Sequence, residues 1–405
     1  IRDWFRYDGC ANRRIRLRRR RSCDRRLSAS YPASTLLVEI LEQRTPLAVD
    51  AQPLADIGVN PLSSYDIHDI TPTGAGETVY FSASSQSEGK ELWKSDGTSR
   101  GTRIVKDINP GPRSSSPEFL TIVDDHVFFR ASSSSSSTWE LWKSDGTSEG
   151  THAVADVPFV PDFYLQDWVA LGGTLFFIAD DGVHGRELWK SDGTNSGTTL
   201  IRDINTSGSA QPMNLTAFNG AVYFSAADET GDRSLWRSDG TSAGTSPVTT
   251  GVDDRRLVEP SEFTRLGNEL LFQADDGSSG SELWKTDGTT DGTVLVRDIC
   301  LTCHGRPNGL TKAGSVVFFS ARDQVHGSGL WTSDGTSDGT RFVMELGPDG
   351  PSLQANRELV AIGDELFFSA SEVSKGRQLW KSDGTQRGTT IVKTFGIIES
   401  DVPDL

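Results

Sequence analysis

One phrase, Glu-Leu-Trp-Lys-Ser-Asp-Gly-Thr-x-x-Gly-Thr or a near variant, occurs seven times in this 405-residue chain. Its tryptophans are Trp93, Trp142, Trp189, Trp236, Trp284, Trp331 and Trp380, in steps of 49, 47, 47, 48, 47 and 49 residues. A fixed period of this length marks one supersecondary unit repeated along the chain, and such units bury their apolar faces by stacking on one another. A single large repeat domain over residues 51–400 is therefore expected, behind a separate tail over residues 1–50.

Each repeat carries four short β signals. In the fourth copy Asn214-Leu-Thr-Ala-Phe218 and Ala221-Val-Tyr-Phe-Ser225 flank Asn219-Gly220, the mark of a tight hairpin. The second run reads Val79-Tyr-Phe, Val127-Phe-Phe, Leu175-Phe-Phe, Val222-Tyr-Phe, Leu270-Leu-Phe, Val317-Phe-Phe and Leu366-Phe-Phe, which predicts a strand covered on both faces. A third strand holds Leu-Trp, and a fourth follows the Asp-Gly-Thr-x-x-Gly-Thr loop. Between repeats runs a longer crossing connection rich in Pro, Gly and Ser. The expected fold is all-β, a seven-bladed β-propeller of four-stranded antiparallel blades. The first blade is the weakest, with Pro72, Gly74 and Gly76 where its first strand should lie. Upstream, Pro53-Leu-Ala-Asp-Ile57 resembles a fourth strand and is expected to zip onto the last blade; an open superhelix, the competitor, would want polar capping repeats.

The loop after the third strand explains its own composition. Asp96, Asp145, Asp192, Asp239, Asp287, Asp334 and Asp383 are expected to fold their carboxylates onto backbone N–H groups two residues on. Gly97 and Gly101 are expected in left-handed conformations, and Thr98 and Thr102 to favour extended backbone. The repeated aspartates and tryptophans thus read as structural, with seven cation sites as the alternative.

Charge divides sharply. Residues 1–26 hold eleven arginines against Asp3, Asp8 and Asp24, a balance of +8, which leaves −24 in the rest of a chain whose total is −16. An acidic body repels phosphate backbones, so nucleic acid is not an expected partner of the repeat domain. The Arg-rich tail reads as solvated and disordered. No run approaches the ~20 apolar residues that cross a bilayer, so neither a transmembrane helix nor an ordinary signal peptide is expected.

The phrase Glu91-Leu-Trp-Lys-Ser-Asp-Gly-Thr98, repeated to Gln378-Leu-Trp-Lys-Ser-Asp-Gly-Thr385, resembles the bacterial ELWxxDGT repeat family, over about 340 residues. Ser234, Gly329 and Gln378 depart from its Glu, and Thr286 from its Ser. The resemblance implies an exported or surface-associated bacterial protein, sometimes labelled hyalin-like, and it supplies no catalytic positions. Val38-Glu-Ile-Leu-Glu-Gln-Arg-Thr-Pro-Leu-Ala-Val-Asp50 is similar to the Leu-Glu-x-Arg-x-Leu-Leu-Ala segment behind a basic N-terminus in many bacterial surface proteins, which supports export.

Few groups offer chemistry. Cys300-Leu-Thr-Cys303-His304 has the spacing of a c-type haem attachment site. It occurs once, in a connection filled elsewhere by Asn-Pro-Gly or Asn-Thr-Ser, so a local disulfide or unligated pair is preferred, with a haem-bearing electron carrier as an alternative. Cys10 and Cys23 sit in the tail. Asp180 and Asp181, like Asp275 and Asp276, occupy tight loops that offer oxygens to calcium, with Asp203 or Asp298 as partners from the crossing loop; a hydrated hairpin turn is the preferred reading. His184 and His326 fall at equivalent positions in such loops. No Gly-x-Ser-x-Gly elbow or phosphate loop is present. Arg265 and Tyr164 are the only hints of a glycosidase-like centre. The expectation is a secreted or cell-surface, monomeric, non-enzymatic binding or scaffold module for extracellular protein or glycan. A propeller enzyme acting on extracellular glycans is the alternative.

Overall fold

The computed structural model describes residues 67–396 apart from 75, 134–138, 156–166, 252–253, 347–351, 354–358 and 373–375. The basic tail, the export-like segment, Cys10, Cys23, the expected strand at 53–57 and Tyr164 lie outside the described residues. All described residues belong to the unit Ala51–Leu405.

They hold 29 strands and no helix. The repeats fold as four-stranded antiparallel sheets. In the first, His68–Pro72, Val79–Ser85, Gly89–Ser95 and Arg103–Lys106 are hydrogen-bonded in chain order; in the sixth, Asn308–Ala313, Val316–Asp323, Gly327–Ser333 and Arg341–Glu345 do the same. The weak first strand exists after all, because Pro72 sits at its end, opposite Val79, where a missing N–H is tolerated. The Asn219-Gly220 turn has φ of +46° and +73°, the double left-handed geometry of the expected hairpin. The fourth and fifth repeats join into one eight-stranded sheet, since Val258 pairs Ser234.

One register rule runs through every repeat. The phenylalanine that closes the apolar run of strand two lies opposite the tryptophan of strand three: Phe81 and Trp93, Phe129 and Trp142, Phe177 and Trp189, Phe224 and Trp236, Phe272 and Trp284, Phe319 and Trp331, Phe368 and Trp380. Side chains alternate faces along a strand, so the residue just before must point the other way. Phe176 accordingly packs with Val222, Phe224 and Trp236 of the fourth repeat, while Phe177 packs with Phe128 and Leu141 of the second. Six such clusters, one per seam, make the core. Strand two is thus covered on both sides, as its composition demands.

Asn219 Nδ2 donates to Asp287 O at 3.2 Å across the seam of the fourth and fifth repeats, and bridges from longer side chains recur at three others. Lys106 Nζ donates to Thr151 O at 2.7 Å, Arg202 to Thr245 O at 2.6 Å and Arg297 to Thr340 O at 2.8 Å. Among the first strands, Asp69 accepts from Phe119 N at 3.1 Å and Glu262 from Gly309 N at 2.9 Å, and Asp167 accepts from Asn214 N. Apart from the Asn219 bridge, each runs from an odd repeat to the even one after it.

Phe224 is fully buried between the third and fourth repeats. Phe224→Ala should cost about 3–5 kcal/mol in a urea titration, the range for emptying a buried aromatic site. Val183→Ala, at a side chain 80% exposed, should stay within about 0.5 kcal/mol of the parent.

Candidate functional site

A four-stranded antiparallel meander sends its connections to two ends. The hairpins after strand one and the Asp-Gly-Thr loops share one end; the loops after strand two and the crossing connections share the other.

At the first end every repeat closes the same network. In the third, Asp192 Oδ1 accepts from Thr194 N at 2.9 Å and from Thr194 Oγ1 at 2.7 Å. Thr194 Oγ1 also accepts from Gly197 N at 3.0 Å, and Thr198 Oγ1 donates to Thr194 O at 2.7 Å. Gly193 is left-handed, at φ +84°, as expected. Gly197 is not. A Cβ there would collide with the Asp192 carboxylate, so the second glycine serves close approach, as do Gly101 and Gly150 in their own copies. The threonines serve through their hydroxyls as well. The Thr194 hydroxyl, then its N–H, holds Asp192 below the usual carboxylate range. The seven aspartates, Asp96 to Asp383, all accept this same pair of bonds.

At the other end the crossing loops are held by a residue whose role the sequence reading missed, the glutamate that opens the phrase. Glu187 is fully buried and accepts from the N–H groups of Ala210 at 3.0 Å, Ile204 at 3.2 Å and Asn205 at 3.4 Å. Glu91 clasps Ser115 and Ile108, and Glu282 clasps Gly305 and Ile299. Burial pushes each carboxyl up to about 7, against these hydrogen bonds. A signal for the pair was present: Glu91, Glu140, Glu187 and Glu282 each precede an aspartate by sixteen residues, whereas Ser234, Gly329 and Gln378 precede Thr250, Glu345 and Thr394. Asp107, Asp203 and Asp298 keep a buried Oδ1 without a hydrogen-bond partner beside these clasps.

In the third, fifth and sixth repeats the loops after strand two are Asx turns. Asp180 accepts from Gly182 N at 2.8 Å; Asp181 accepts from Val183 N at 2.9 Å and His184 N at 2.8 Å and meets His184 Nδ1 at 2.7 Å. Burial pushes Asp181 up, but the His184 and Val183 N–H groups and the imidazole outweigh it and hold the carboxyl at about 2. Asp275 accepts from Gly277 N at 2.7 Å, and Asp276 from Ser278 N and Ser279 N at 2.9 and 2.7 Å. The four carboxylates proposed for calcium thus brace their own turns. Among the described residues no three His, Cys, Asp or Glu side chains converge as a metal site requires. His326 repeats the His184 arrangement on Asp323, at 2.7 Å.

Cys300 and Cys303 are joined in a disulfide, so neither sulfur is a free thiol for a porphyrin. His304 Nδ1 accepts from Ser281 N at 2.9 Å, tying the crossing loop to the neighbouring strand. Arg265 is exposed at a hairpin, donating to Gly267 O at 3.2 Å.

No family model matches this chain, and no curated protein does. Solved structures similar to it include oligopeptidase B from Leishmania major, at 11% identity over 84% of this chain and 50% of that one, TM-score 0.47. Oligopeptidase B from Trypanosoma brucei with covalently bound antipain follows at 10%, 82% and 49%, TM-score 0.47. Prolyl oligopeptidase B from Galerina marginata gives 11%, 83% and 51%, TM-score 0.43. The chain spans about half the length of those enzymes. Likeness at this level carries nothing about activity.

Two tests follow from the networks. Thr194→Val keeps the β-branched shape and removes the hydroxyl; a loss of about 1 kcal/mol in denaturant unfolding is expected, and no loss would leave the extended-backbone preference as the sole explanation. The clasp glutamates have folded-state values above their ordinary 4.5. Their contribution is complete below 4.5 and is lost as pH rises towards 7. Tm should therefore fall between pH 4.5 and 7, and E187Q with E282Q should flatten that slope. Acid loss below about pH 4 comes from the turn aspartates, whose values are depressed, and should survive both substitutions.

Proposed function

We propose that this chain is an exported, non-enzymatic binding and scaffold module in which the repeats close into a seven-bladed β-propeller. The end carrying the strand-two loops and the crossing connections receives an extracellular protein or glycan. The resemblance of the repeated phrase to the ELWxxDGT family supports export and the cell surface.

One observation carries the reading: the two ends of the sheets are built on different terms. At one end seven near-copies of one turn engage their carboxylates and hydroxyls internally. At the other, loops differ from repeat to repeat, and Val183, Leu301 and Val325 stand 80%, 78% and 83% exposed at their tips. Apolar side chains held in water on rigid turns are suited to docking, because their burial against a partner is favourable and little order remains to be imposed. The side-by-side packing that such a ring requires is present where Asp69, Asp167 and Glu262 each accept from a backbone N–H of the next repeat.

Purified full chain incubated with a panel of extracellular polysaccharides and surface proteins should be retained by one of them at a stoichiometric level. Assay of the same mixtures for new chain ends should show none. Catalytic accumulation of new ends overturns this reading in favour of a propeller enzyme.

A further inference from the structure

The sixth repeat carries Gly329 where others open the phrase with glutamate, and a Cβ at that position would collide with the ring of Phe342, which packs in the seam with the fifth repeat. The phenyl group therefore lies directly on the backbone of strand three. There it stacks on His326, with centroids 4.0 Å apart and planes 16° apart, and meets Trp331 edge-on at 5.8 Å. Asp323 holds the imidazole from below, through Nδ1 at 2.7 Å and the His326 N–H at 2.6 Å. The stack forms one wall of a cleft of about 530 Å³, closed on the other side by Arg297, Asp298 and Leu301.

Trp331, 4% exposed, has a buried Nε1–H without an acceptor, and Asp298 has a buried Oδ1 without a donor; Trp93 with Asp107 and Trp189 with Asp203 repeat that pair, so the His326–Phe342 stack is what sets this cleft apart. A buried polar group left unmatched is unfavourable, and the small group that accepts from one and donates to the other is a hydroxyl. Arg297 uses Nη1 on Thr340 O and Ser337 O, and Arg341 uses Nε on Asp338 O, so both guanidinium groups keep further donors. Formal charges on the lining balance, Arg297 and Arg341 against Asp298 and Asp323, within a body that carries −24 overall. An aromatic wall, an unmatched donor and acceptor, spare guanidinium N–H groups and local neutrality describe a receptor for a hydroxylated ring without charge.

We propose that this cleft binds a sugar ring of a neutral polysaccharide, with the ring's apolar face on the His326–Phe342 stack. The proposal rests on the binding-module reading above and names its ligand class. The wall at Leu301 belongs to the loop that the Cys300–Cys303 disulfide closes and Glu282 clasps, so the receptor is braced before ligand arrives.

The test is affinity electrophoresis of the full chain through gels containing mannan, xylan or a β-glucan, with alginate as the acidic comparison. Retardation by a neutral polysaccharide is expected, with at least a ten-fold loss of affinity in His326→Ala. Val325→Arg gives a second variant: its side chain is 83% exposed, so the change leaves folding alone while filling the cleft, and it should abolish retardation. Ile362→Ser, at a side chain 50% exposed on the strand-one hairpin of the seventh repeat, at the opposite end of the sheets, should change nothing. If both cleft variants bind as the parent does, the cleft assignment is wrong although the module still binds glycan. Binding to alginate alone, or to protein alone, also overturns this proposal and leaves the broader reading standing. Cleavage of the polysaccharide overturns the broader reading itself.

Discussion

The structure depends on a pair of adjacent aromatic positions that point in opposite directions. In strand two of the stacked repeats, alternation of the pleat sends the first large side chain to the following repeat and the next to the preceding one. Phe176 and Phe177 do this within a single peptide unit, each entering a different cluster. The tryptophan opposite the second ring completes the seam, and the small Ala179 or Ala226 in the same clusters leaves the space that stacking requires. A repeat with either ring removed would lose one neighbour, which is why no repeat is a domain alone.

Upon that apolar frame the polar residues divide between two tasks. The Asp-Gly-Thr turn closes its own circuit of hydroxyl, carboxylate and N–H groups, and in the even repeats its carbonyls also accept from Lys or Arg of the repeat before. The glutamate clasp, by contrast, reaches across to the crossing loop and fixes how the chain enters the next repeat. Where the clasp is replaced, the local solution changes: Ser234 admits direct pairing with Val258, Gly329 admits the Phe342 ring, and Gln378 accepts from the Trp380 indole at 3.1 Å. Departures from the repeat are therefore the places where this protein acquires individual features.

Much of this was legible from residue order. Seven tryptophans at a near-constant step announce a repeated unit, and Asn219-Gly220 marks a hairpin, because these depend on local backbone geometry alone. The Asp192 carboxylate was placed correctly on the N–H two residues on. The left-handed conformation expected of the loop's second glycine was not correct, and the threonine hydroxyl bonds went unread, since close approach of a carboxylate to a Cα and the second bond of a hydroxyl are three-dimensional facts. Pro72 misled in the same way: its position at the end of a strand, not its presence, decides whether the strand survives.

The chain order alone determined the unit, its four strands, its turn chemistry and the two-faced burial of strand two, because all of these follow from periodicity and dihedral preference over a few residues. Tertiary structure decided which glutamate oxygen meets which loop, that Cys300 and Cys303 pair with each other, and that Phe342, His326, Trp331, Arg297 and Asp298 border one cleft. Those residues come from two repeats and are separated by up to 45 positions, so nothing local relates them. Only the stacking of one sheet on the next brings them within reach.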